Sequence, residues 1–236
     1  MQDSFKYPGQ ELILFENATN WRKYFCGFIR PFLHGKILEC GAGLGSICKV
    51  LNIENTSEWI LLEPDTKMAG ELKNKLLNKK LPPNCKIIEG TTSVFENKPQ
   101  FDTILYIDVL EHIENDRLEM QMASSLLNER GKLIILSPAF PSLYSKFDNA
   151  IGHYKRYTKK ELDALIPESM ECLFIHYLDS VGFFASLSNK KILKQDYPTK
   201  RQLNYWDKYM IPVSKFTDRV FNYSFGKSIL GIWEKK

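Results

Sequence analysis

The sequence predicts an α/β protein built on a doubly wound parallel sheet. Three observations carry that expectation. Short apolar runs rich in β-branched residues recur through the first 140 residues, as in strands covered on both faces. Between them lie stretches whose apolar residues fall three or four apart, the spacing of a helix with one buried side. A glycine-rich segment joins the first run to the first such stretch, where the chain must turn tightly.

The elements follow in order. KILEC (36–40) is the first strand and SICKVLN (46–52) the first crossover helix. EWILLE (58–63), CKIIE (85–89), FDTILYI (101–107) and GKLIILS (131–137) are further strands. TKMAGELKNKLLNKK (66–80) and ENDRLEMQMASSLLNER (114–130) are the helices among them, the second stopped by Gly131. Strand–helix alternation of this kind closes with right-handed crossovers. Residues 1–34 form an N-terminal helical segment ahead of the sheet. After residue 138 the pattern changes. TKKELDALIPE (158–168) opens with Thr158 and Glu161 spaced as a capping box. MECLFIHYL (170–178) and KSILGIW (227–233) are later strands, and residues 179–226 between them are too many for a hairpin, so they form a helical insertion or cap. We read the 236 residues as one domain.

With 44% hydrophobic and 25% charged residues the chain is neither disordered nor, having 13 Gly and 11 Pro without a period, collagen-like. No window approaches the roughly 18 apolar residues of a membrane span, and the first residues carry acids and a Pro where a signal peptide is basic and then apolar. The expectation is a soluble, unexported, cytoplasmic chain. Five cysteines without a CxxC favour buried thiols over a disulfide framework or a zinc ribbon. The net charge of +4 is uneven, −2 over residues 1–140 and +6 over 141–236, which suits an anionic contact or simply a solvated face.

The chemistry concentrates in LECGAGLGS (38–46). Gly41, Gly43 and Gly45 let backbone N–H groups and a helix start approach a ligand closely. The spacing is G-x-G-x-G, and Ser46 stands where the dinucleotide fingerprint has its third glycine. Glu39, two residues ahead of Gly41, would gain nothing beside a pyrophosphate and would attract a sulfonium amino acid through its ammonium group. Glu63 closes the second strand, where an acid accepts hydrogen bonds from a ribose diol.

These residues, followed by YIDVLEHIEND (106–116), resemble the class I S-adenosylmethionine-dependent methyltransferases over about residues 20–140. The resemblance implies a Rossmann-like, seven-stranded sheet whose last strand is antiparallel. It implies S-adenosyl-L-methionine as cofactor, leaving as S-adenosyl-L-homocysteine, with the methionine part in the turn Glu39, Gly41, Ala42, Gly43 and Gly45. Glu63 and Pro64 then hold the ribose, Thr91 and Thr92 after Gly90 flank the adenine in place of the usual Asp, and Asp108 and Val109 complete the set. The stretch 137–162 and the run FNYSFGKSILGIW are similar to a bacterial subgroup that modifies glycans or small metabolites.

A hydroxyl acceptor needs its proton removed, and His suits that near neutrality. His34 and His176 read as structural. His112 and His153 fall on the ligand-binding side, each as a catalytic base or a loop-orienting residue, with His153 preferred. Asp148, Arg156 and Tyr157 are candidates to hold an acceptor or its phosphate. No metal is expected, since the acids Asp108, Glu111, Glu114 and Asp116 read as helix-start caps. The acceptor is a small molecule or glycan, and nucleic acid is not expected. The aromatic, basic 179–226 stretch suits a lid over the acceptor, peripheral contact with an anionic membrane, or a satellite core. A nucleotide-binding oxidoreductase and a non-catalytic cofactor-binding protein of the same fold remain the alternatives.

Overall fold

Each apolar run becomes a strand: β1 (Gly35–Cys40), β2 (Thr56–Glu63), β3 (Cys85–Glu89), β4 (Phe101–Ile107), β5 (Leu127–Pro138), β6 (Met170–Leu178) and β7 (Ser228–Lys235). A computed structural model describes residues 15–51, 56–188 and 197–236. Residues 1–14 of the expected N-terminal segment, Asn52 of the first crossover helix and 189–196 of the insertion lie outside them. The strands form one sheet in the order β3-β2-β1-β4-β5-β7-β6. β1 to β5 run parallel, and β7 is antiparallel to both β5 and β6. The unbroken apolar character of the strands has a direct cause. In β4, Leu105 enters the core on one face while Ile104 and Tyr106 enter the core on the other. Successive side chains alternate across a sheet covered on both sides.

The helices are α1 (Thr19–Ile29), α2 (Ser46–Leu51), α3 (Thr66–Leu77), α4 (Asp116–Leu126), α5 (Lys146–Ala150), α6 (Lys159–Asp163), α7 (Ser180–Ser188), α8 (Lys200–Tyr205) and α9 (Ile211–Val220). The helix expected over 66–80 ends at Leu77, and two others are shortened further. The one expected over 114–130 is capped by Asn115, which accepts from Leu118 N at 3.2 Å, and ends at Leu126. Leu127 turns extended, and it and Leu126 are both fully buried, one ending the helix and the other paired with Phe101 in β5. The chain then bulges before Lys132 pairs with Thr103, with Arg130 at φ 61°. Gly131 is therefore part of β5 and not a helix stop. The helix expected over 158–168 does begin with the Thr158–Glu161 capping box but closes at Asp163, ahead of Pro167.

The insertion between β6 and β7 is helical, and polar bonds tie it to α1. Asp207 accepts from Trp21 N at 2.8 Å and Asn20 N at 3.1 Å, satisfying free donors at the start of α1. Asp218 accepts from Asp179 N, Ser180 N and the Tyr24 hydroxyl at 2.8–2.9 Å. Between α8 and α9 the segment Trp206–Met210 is a π-helical turn. Pro212 has no N–H for the carbonyl of Lys208, so the ordinary helical ladder is interrupted there. Leu203, Trp206 and Ile211 join Trp21 and Phe25 in the core, while Phe184, Tyr205, Tyr209 and Phe216 stay exposed. The stretch is thus part core and part aromatic surface. Among the described residues no helix is long and apolar enough to cross a membrane.

Candidate active site

A cavity of about 510 Å³ opens at the carboxyl ends of β1, β2 and β4, the usual ligand position in an open α/β sheet. The turn after β1 forms its floor. Gly41 is at φ +61°, and a Cβ there would stand 2.6 Å from Val109 Cγ2. Glycine is required on both counts. Ala42, Gly43, Pro64, Thr91 and Val109 line the same cavity. Gly45 does not. At φ +69°, it packs against Leu72 and Leu81, so its role is to seat the turn on α3.

Glu63 accepts from Gly43 N at 2.7 Å and from Asp65 N at 3.0 Å, which fixes the carboxylate at the cavity edge. Burial raises its pKa against those two bonds. Glu39 lines the cavity from beneath, accepting the Trp59 indole N–H at 2.9 Å. Burial pushes its carboxyl up to about 8, against the lowering effect of that bond. Thr92 lines the cavity but is spoken for: its hydroxyl donates to Glu119, which also accepts from Tyr106 at 2.6 Å. The Thr91 hydroxyl pairs with Ser93.

The opposite wall comes from the turn after β4 and the loop 139–157. That loop leaves and returns at one point, since Ala139 bridges Tyr157 and Phe140 N donates to Tyr157 O. Tyr157 is the anchor. It is 1% exposed, its hydroxyl donates to Asp116 at 3.0 Å and Leu110 O at 3.2 Å, and it is not among the residues lining the cavity. Its expected contact with an acceptor is corrected accordingly. Asp148 is buried at the cavity wall and saturated. It accepts from Ser145, from Arg156 Nε at 2.9 Å and Nη2 at 3.0 Å, and lies 2.9 Å from His153 Nδ1. Against its burial, His153, Arg156 and Ser145 hold the Asp148 carboxyl well below the ordinary carboxylate range. It orients the loop and has no lone pair to offer an acceptor. Arg156, although on Asp148, does face the cavity.

His112 and His153 come together, ring centres 4.5 Å apart and nearly perpendicular. Burial, then the neighbouring His153, lowers His112 to about 4 against a bond to the Gly152 backbone. Asp108, at φ 54°, ends β4 with its N–H on Leu136 O and borders the same space.

Among the lining residues outside the expected site set, three bring chemistry to it. Glu111, fully buried, accepts from Ser137 through Oε2 and reaches within 3.8 Å of His153 Nε2 through Oε1. It is not a cap, which is Asn115, and Asp116 of the same run is held by Tyr157 and Lys155. Its position beside His112 was the available signal. Trp206 and Lys227 reach the cavity from the insertion and the start of β7, with the ammonium 4.8 Å over the indole. Trp206 belongs to the aromatic stretch expected as a lid, and nothing local singles out either residue beyond that.

Residues 17–171 match the family described as "Methyltransferase domain". An uncharacterised methyltransferase of Bacillus mycoides is 30% identical over 108 residues, 45% of this chain and 48% of that protein, and a Bacillus cereus relative matches over the same share. The chain spans about half the length of the curated relatives it matches. Geranyl diphosphate methyltransferase in complex with SAM superposes with a TM-score of 0.66 at 9% identity, covering 100% of this chain and 93% of that one. Coclaurine N-methyltransferase bound to N-methylheliamine and SAH gives 0.63 at 13%, covering 98% and 74%. The [4+2]-cyclase SpnF gives 0.61 at 12%, covering 96% and 94%. At these identities the likeness is one of fold.

Proposed function

The chain belongs to the methyltransferase-domain family, whose cofactor is S-adenosylmethionine, and on that premise we propose that it methylates a hydroxyl oxygen of a small molecule, a sugar or a lipid-linked glycan. The cofactor supplies an electrophilic methyl group on a sulfonium. The residues present suit it. Glu63 keeps lone pairs beyond its two backbone bonds for a ribose diol. The buried Glu39 is a partner for an ammonium group, and the space above Gly41 exists only because no Cβ fills it. Alignment is the main task in such a displacement, and the two walls of the cavity divide it. The glycine turn and the two acids hold the cofactor, while Asp108, His112, His153 and Arg156 face whatever lies beyond.

The observation that carries the reading is His153. Its Nδ1 lies 2.9 Å from Asp148, so the neutral ring keeps its proton there and turns the Nε2 lone pair away from that carboxylate. A hydroxyl is the acceptor such a group serves, and Arg156 nearby suits a phosphate on a sugar or lipid carrier. Methyl-labelled cofactor incubated with fractionated extracts should leave label in an alkali-stable methyl ether. An N-methyl product or an alkali-labile ester would sink the hydroxyl assignment. His153→Asn should cut transfer by at least about a hundredfold, the low end for a positioned acid or base, while calorimetry shows product affinity unchanged. For Glu63→Ala the pattern reverses: cofactor affinity falls by about 1.5–3 kcal/mol.

A further inference from the structure

We propose that Glu111, His112 and His153 form a site for one divalent transition-metal ion on the acceptor side of the cavity. One donor atom from each residue lies within 4.8 Å of the others. A central ion with bonds of about 2.1 Å places adjacent ligands about 3.0–3.4 Å apart. The three donors therefore need to draw together by at most about 1.4–1.8 Å.

A second observation is independent of that clustering. Among the described residues, Glu111 Oε1 is the one buried side-chain polar atom without a hydrogen-bond partner. Its sister oxygen is satisfied by Ser137. A fully buried carboxylate oxygen left bare costs its whole desolvation penalty, and 3.8 Å to His153 Nε2 is too far for a hydrogen bond. A cation between them removes the deficit.

The surroundings are those of a ligand set. Asp148 at His153 Nδ1 makes the carboxylate–histidine arrangement that fixes tautomer and ring orientation in metal sites. Asp148 is itself neutralised by Arg156. The His112 ring is held by the Gly152 backbone on one side, and imidazole ligates through a ring nitrogen lone pair. Two imidazoles and one carboxylate select a borderline ion such as Zn²⁺ or Fe²⁺ over Mg²⁺ or Ca²⁺, which prefer oxygen. The sequence expectation of no metal weighed a hard cation on clustered acids. The structure offers a different donor set. Three protein ligands leave a coordination position open toward the cavity. The inference rests on the hydroxyl-acceptor reading and replaces one part of it: with the ion bound, His153 Nε2 serves as a ligand and not as the base, and the acceptor oxygen takes the open position, becomes more acidic there, and releases its proton to cavity water.

The full chain, stripped with a chelator, is titrated with Co²⁺ as the probe and followed by visible absorption. One Co²⁺ per chain is expected, displaced by Zn²⁺ and not by Mg²⁺. Glu111→Gln, His112→Asn and His153→Asn should each weaken Co²⁺ binding at least tenfold, while Cys172→Ser, at an exposed thiol, should not. Each variant is also titrated with S-adenosylhomocysteine. Retained affinity shows that the variant folds. A wild type that binds S-adenosylhomocysteine but no stoichiometric Co²⁺ overturns the metal site and leaves the methyltransferase reading standing, whereas failure to bind S-adenosylhomocysteine overturns that reading whatever the ion does. Stoichiometric Co²⁺ unaffected by all three ligand substitutions also overturns the proposal, since the ion then sits elsewhere.

Discussion

Glu39 is the residue on which a charge argument can be taken furthest. Its folded carboxyl titrates near 8 against an ordinary 4.5, chiefly through burial. Between those values the folded chain holds a proton that the unfolded chain has released, so stability without cofactor falls as pH rises from about 4.5 to about 8 and is level above. Glu39→Gln should remove that slope, measured as urea midpoints across the range. An ammonium brought beside Glu39 favours the ionised form. Cofactor binding at pH 7 should therefore release a large fraction of one proton, read by calorimetry in buffers of different ionisation enthalpy. If release is the same in Glu39→Gln, the ammonium lies elsewhere. Glu39 and Glu63 were legible in the sequence because each lies at a strand end, Glu39 two residues ahead of the glycine turn. Glu111 was not, because what distinguishes it is a missing partner, and that exists only once Ser137 and the loop 139–157 close around it.

At the scale of elements, strands read well and helix ends poorly. A strand buried on both faces announces itself by continuous apolar sequence, whereas α4 ends at Leu126 because Leu127 is drawn into pairing with Phe101, a contact 26 residues away. The insertion shows the same limit more strongly. Its aromatics were visible, but the acids that set its position bond across 187 residues, from Asp207 to Asn20, and 194, from Asp218 to Tyr24. No local pattern reports such partners. Asp218→Ala strands two buried N–H groups and a buried hydroxyl, each worth about 1–3 kcal/mol. It should lower stability by at least about 3 kcal/mol and raise hydrogen exchange in α1 and α7 before the parallel strands. Uniform exchange throughout the sheet would show that α1 and the insertion are not a separable unit. Tyr24→Phe leaves Asp218 with two donors and should cost about 1 kcal/mol.

For the whole molecule, the cavity joins the two halves of the charge distribution. Residues 1–140, at −2, build the glycine turn and the buried acids, and residues 141–236, at +6, bring Arg156 and Lys227 to the opposite wall. A ligand that binds only the closed cavity stabilises all of it. S-adenosylhomocysteine at a hundred times its dissociation constant should add about 2.7 kcal/mol, or roughly 5–10 °C in Tm for a chain of this size. Glu63→Ala at the same concentration should show a smaller rise.

The placement of β7 governs the order in which the chain is made. β6 pairs with β7 and not with β5, so a nascent chain that has delivered β6 to the tunnel exit has nothing for it to join until about fifty further residues have been translated. β1 to β5 can assemble first, with the glycine turn in place. During that interval two edges wait open, that of β5 and that of β6, and unpaired edges are where chains join their neighbours. A ribosome stalled between residues 180 and 226 should present β1 to β5 and the glycine turn already folded, with β6 still exposed to chaperones.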